Sequence, residues 1–216
     1  EAPLKKYLDL AQAQPAGEER SRGQSQAYLS LAQVAEKRRD FAQASAWLDR
    51  IENSQDLVQA QNRRASILAR QGRMDEARAL LRALPERTPA DARLKVMAEV
   101  QLLRDNKQYQ AAYDLLAQAV AKDPADTDLA YDQAMLAEKL GDFAGMERLL
   151  RGIIARKPDY HHAYNALGFS LAERNERLPE AKQLIEKALE YAPGDPFITD
   201  SLGWVEFRMG NSAEAL

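Results

Sequence analysis

The 216-residue chain has no cysteine. Disulfides, thiol nucleophiles and thiolate metal sites are therefore excluded, while the redox compartment stays open, because a helical protein of the periplasm needs no cysteine. Its two histidines, His161 and His162, are adjacent. Neighbouring helical positions point about 100° apart, so they are not the i, i+4 ligand pair of a helical zinc site. No run of about 18 apolar residues is present to cross a membrane. The GxSxG, HExxH, phosphate-loop and GxGxxG motifs are also missing, which removes the recognisable nucleophile, zinc and nucleotide signatures. Asp126, Asp128 and Asp132 lack the glycine turn and spacing of a calcium loop. No pattern calls for a cofactor or a metal, and the chain reads as non-enzymatic.

A basic excess is lacking too. The net charge is −3 and the isoelectric point about 5.6, which argues against a nucleic-acid partner. The richest basic stretch, Arg63 to Arg93, is interleaved with Asp75, Glu76, Glu86 and Asp91 and reads as a solvated helical surface. What the chain does have is 45% hydrophobic and 29% charged residues, enough for a core and a hydrated surface. It opens at Glu1 without Met or a leader pattern and stops at Leu216 inside a helical stretch, so it reads as a piece of a longer protein.

Order comes from spacing. Pro89, Pro124, Pro158 and Pro193 lie 35, 34 and 35 residues apart, each expected to close an apolar helical stretch. This period predicts an all-α solenoid of antiparallel helix hairpins in one continuous domain, each copy burying its apolar face against its neighbours. The expected copies are 25–57, 58–92, 93–126, 127–160 and 161–195, with a partial copy 196–216. Residues 1–24 read as a helix and a connection left from a preceding copy, with Leu4, Tyr7, Leu8 and Ala11 on one face.

The fifth copy shows the pattern. Its first helix places Tyr164, Leu167, Gly168 and Leu171 on one face, and its second does the same with Ala181, Leu184, Ile185, Ala188 and Leu189. Small residues recur where paired helices must approach: Ala32, Ala65, Ala134, Gly168 and Gly203 in first helices, and Ala44, Ala77, Ala112, Ala181 and Ala215 in second ones. Gly72 and Gly141 suit left-handed helix ends, and Pro179 suits a first helical turn. Asp91, Asp126, Asp159 and Asp195 are expected to cap first helices.

These residues resemble the tetratricopeptide repeat. The fifth copy carries its pattern as Tyr164, Leu167-Gly168, Leu171, Ala181, Ile185, Ala188 and Pro193, and the partial copy as Leu202-Gly203, Gly210 and Ala215. Departures are Met146 at a small-residue position, a first copy without terminal proline, and one extra turn residue in the fifth. The resemblance implies a right-handed superhelical array whose first helices line a concave groove holding a protein or peptide partner. It places Gln33, Asn62, Arg63, Arg70, Met97, Gln101 and Arg104 on the early part of that groove, beside Leu29. On the late part it places Tyr131, Met135, Asn165, Phe169 and Trp204, beside Asp128, Asp132, His162, Phe197, Asp200 and Arg208. The early set offers amide and guanidinium donors, the late set methionine and aromatic anchors. Leu29, Gln33 and Arg63 stand where a chaperone-tail carboxylate clamp would need Lys, Asn and Asn.

The implied function is a non-catalytic scaffold or adaptor. The late copies also look like those of proteobacterial envelope proteins, including outer-membrane lipoprotein adaptors of carboxyl-terminal processing proteases. That likeness implies a periplasmic or outer-membrane-associated protein, the cytoplasm being the alternative, with a protease or its substrates as partner. The competing reading is the recognition arm of a larger enzyme, such as a glycosyltransferase or signalling protein. Self-association through end repeats is a third expectation.

Overall fold

The computed structural model describes residues 1–51 and 54–211, which form twelve α-helices and no strand. They divide into two compact units, Glu1–Lys107 and Gln108–Leu216. The repeat pattern alone suggests one continuous array, but contacts in a stack run only between neighbours, so few tie distant copies together.

The first unit contains α1 (Ala2–Gln12), α2 (Glu18–Lys37), α3 (Phe41–Leu48), α4 (Ser54–Arg70), α5 (Met74–Arg82) and α6 (Pro89–Asp105). Each packs on the next in antiparallel pairs, α2 with α3 and α4 with α5. Helix α2 starts seven residues before the expected copy, and the 57/58 and 92/93 divisions fall inside α4 and α6. Ala44, Ala65 and Ala77 are fully buried at the crossings. Of the apolar face expected on α1, Leu8 and Ala11 are buried, whereas Tyr7 is exposed. Glu99 of α6 is buried and accepts hydrogen bonds from Arg78 Nε at 2.7 Å and Arg82 Nη2 at 2.6 Å, tying α6 to α5.

Two expectations fail at the start of α6. Pro89 opens this helix instead of closing the one before it. Its missing N–H costs nothing at the first helical position, where that donor has no partner anyway. Thr88 is the cap, and Asp91 lies within the first turn, its carboxylate accepting from the Thr88 N–H at 2.9 Å while Thr88 Oγ1 accepts from the Asp91 N–H at 3.1 Å.

The second unit contains α7 (Tyr109–Lys122), α8 (Thr127–Lys139), α9 (Phe143–Arg156), α10 (His161–Glu173), α11 (Leu178–Tyr191) and α12 (Pro196–Met209). Ala134, Leu150, Ile153, Leu167, Leu171, Ala181, Ile185 and Val205 share one continuous core, in which Met146 takes the small-residue place on α9. Asp126 and Asp195 cap α8 and α12 as expected, each carboxylate accepting two backbone N–H groups. Asp159 does not cap α10: the cap residue is Tyr160, without a side-chain bond. Asp40 and Asp142, by contrast, cap the second helices α3 and α9.

Several tight turns between successive helices take positive φ. Gly72 and Gly141 supply it at 80° and 77°, and Arg39, Lys107 and Asn175 adopt it at 57–59° in the other copies, at the steric cost of a side chain there. Ala215, expected against Gly203, lies outside the described residues.

Candidate protein-binding face

Within each unit, helical register places one residue set of each first helix on a common face. In the first unit three residues of this face pair with neighbouring side chains. Arg63 Nε pairs with Glu36 Oε1, and Arg70 Nη1 lies 3.8 Å from the other oxygen of the same carboxylate. Gln101 Nε2 donates to Asp105 Oδ1 at 2.7 Å. Gln33, Asn62 and Arg104 are exposed and Met97 is half-buried. Leu29 is not a groove residue: it is buried in a cluster that also holds Leu8, because α1 packs over α2.

In the second unit, α8, α10 and α12 contribute an aromatic face. Tyr131 of α8 lies with its ring 5.8 Å from Tyr160 and 6.2 Å from His162. The Tyr160 hydroxyl donates to Asp128 Oδ1 at 2.8 Å, and burial together with this bond pushes the phenol well above its ordinary range. Burial, reinforced by His161, whose ring is 4.0 Å away, holds His162 below the usual imidazole value. Met135, Asn165 and Phe169 are half-buried along the same face.

On α12, residues 197, 200, 204 and 207 share one side at spacings of three and four. Phe197 is 79% exposed and Phe207 56% exposed. The Trp204 ring stacks on Phe207 at 5.6 Å, and the Arg208 guanidinium lies 5.5 Å from its centroid. The opposite side of α12 buries Ile198 and Val205. Trp204 Nε1 and Asn165 Oδ1 are buried atoms without a hydrogen-bond partner.

The sequence pattern assigns Tyr131, Met135, Asn165, Phe169 and Trp204 to this face without Phe207 and Tyr160, and assigns the first unit's face without Glu36. Phe207 was signalled by its spacing of three from Trp204. Tyr160 and Glu36 act through partners 32 and 27 residues away, beyond the reach of a local pattern.

Chemically, the arrangement offers aromatic surface, carboxylates and few cations. Among the described residues no group of three or more His, Cys, Asp or Glu is placed to hold a metal, and no helix is long and apolar enough to cross a membrane.

Antiparallel helix pairs with small residues at most of the described crossings define a tetratricopeptide-type solenoid, a fold that supports protein–protein interaction. The chain carries tetratricopeptide repeats: family models described as tetratricopeptide repeat match residues 103–168 and 53–92. Among curated proteins, the TPR repeat-containing protein PA4667 of Pseudomonas aeruginosa is 38% identical over 189 residues, covering 88% of this chain. The chain spans 32% of that relative's length. Among solved structures, MamA of Desulfovibrio magneticus RS-1 matches with a TM-score of 0.54 at 18% identity, over 74% of this chain and 89% of that one. A tetratricopeptide repeat protein from Parabacteroides merdae matches with a TM-score of 0.56 at 14% identity, over 89% and 76%.

Proposed function

We propose that this chain is a non-catalytic adaptor whose face on α8, α10 and α12 holds a segment of a partner protein. The observation that carries this reading is the solvent-facing Phe197 and Phe207 beside Trp204 on the register shared with Phe169 and Met135. Exposed large aromatics in a row are uncommon on a surface that binds nothing, and aromatic anchors dominate many protein interfaces.

The narrower reading is a periplasmic or outer-membrane-associated adaptor for a carboxyl-terminal processing protease. It is supported by the likeness of the late copies, from Ala166 through Gly210, to those of envelope proteins of that kind.

The test is capture of partners by the full-length protein carrying Phe197→Ala or Trp204→Ala. Expected is loss of specifically captured protein with helicity retained; undiminished capture by both variants contradicts this site. For the narrower reading, the captured set should include a protease whose cleavage of its substrate depends on the adaptor.

A further inference from the structure

The charge on the second unit's aromatic face specifies what it takes. In the helical register of the face, α8 contributes Asp128, Asp132 and Glu138, α10 contributes Glu173, and α12 contributes Asp200. Lys139 and Arg208 are the cations in the same register. Five carboxylates therefore stand against two cations. The whole chain holds 33 acidic and 30 basic residues, and Lys157, 5.0 Å from the Tyr160 ring, adds a third cation at the edge of this face, which stays net acidic.

Resting on the adaptor reading above, we infer that the occupant is a partner segment in which apolar side chains are flanked by lysine or arginine. Apolar groups would cover Phe197 and Phe207, whose exposed area favours burial, beside the half-buried Trp204. Basic side chains would lie toward Asp200 and the α8 carboxylates, where complementary charge speeds encounter and fixes register. The aromatic rings also suit cations, as Arg208 over Trp204 shows within the chain itself.

Other occupants fit less well. A second copy joined through this same face would set carboxylates against carboxylates. Anionic lipid and nucleic acid are repelled by the sign of the charge.

The experiment is fluorescence anisotropy with the full-length protein and three labelled octapeptides, alternating Leu-Lys, Leu-Glu and Ser-Lys, at physiological ionic strength. Expected is binding of the Leu-Lys peptide about tenfold tighter than either of the others. Asp200→Lys and Phe197→Ala should each weaken it about threefold or more, while Glu18→Lys on α2 leaves it unchanged; circular dichroism checks that all three remain folded.

Equal or tighter binding of the Leu-Glu peptide, lost in Phe197→Ala, overturns the inference while leaving the adaptor reading intact. Ser-Lys binding as tight as Leu-Lys overturns the apolar requirement, and binding of none of the three overturns the inference outright. A sedimentation shift showing self-association that Asp200→Lys or Phe197→Ala abolishes would assign the face to a second copy instead. Failure of the adaptor reading itself shows separately, as undiminished partner capture by Phe197→Ala and Trp204→Ala.

Discussion

A Cβ on Gly168 would stand 2.7 Å from the carbonyl oxygen of Ala181, so α10 and α11 meet at a distance that leaves room only for glycine. The same Cβ would lie 2.7 Å from Ile185 Cγ1, and Ala181 is itself fully buried. The pair sets how α10 is held, and α10 in turn carries Asn165 and Phe169 on the face proposed for a partner.

Gly168→Val should therefore force the pair apart and destabilise the second unit by about 1–3 kcal/mol, the usual cost of overpacking. Ala181→Arg adds burial of a charge and should cost more. Urea denaturation followed by circular dichroism reads both. An unchanged midpoint for either would show that the helices do not pack as described.

Caps give a sharper contrast. Asp142 accepts the Gly145 N–H at 2.8 Å at the start of α9, whereas α10 has no side-chain cap although Asp159 sits two residues before it. Asp142→Ala should cost about 1 kcal/mol and Asp159→Ala no more than about 0.5 kcal/mol. Equal losses would mean that Asp159 caps after all.

This contrast shows where sequence reading succeeds and stops. Asp195-Pro196 is legible because cap and proline agree on one helix start. Pro89 is ambiguous, since proline suits both the residues after a helix and the first residue within one; Thr88 three residues before Asp91 resolves it only once the capping box is seen. The residues of the aromatic face follow from the repeat resemblance, which fixes the register of each first helix. The Tyr160–Asp128 and Arg63–Glu36 pairs join neighbouring copies about one period apart, so they emerge only from packing. Leu29 was misplaced for the same reason: local spacing does not reveal that α1 covers it.

Acid should act through Glu147. It accepts hydrogen bonds from Arg177 Nη1 at 3.0 Å and Arg151 Nε at 2.8 Å, and chiefly the Arg177 bond holds its carboxyl down to about 2 from an ordinary 4.5. A carboxylate depressed on folding contributes stability that is full above its unfolded value and is lost as pH falls through the folded one. The window is thus pH 4.5 down to about 2. In thermal melts across that window Glu147→Gln should lose less stability than the parent protein; parallel curves would contradict the assignment.

On the proposed function, a partner protein docks on the face of α8, α10 and α12. The most direct test places a photoreactive phenylalanine analogue at Phe197 of the full-length protein in its native cell, with a second at the exposed Gln183 of α11 as control. Expected is a discrete protein adduct from position 197 that is absent from position 183. Adducts of equal yield at both positions, or at 183 alone, would contradict it.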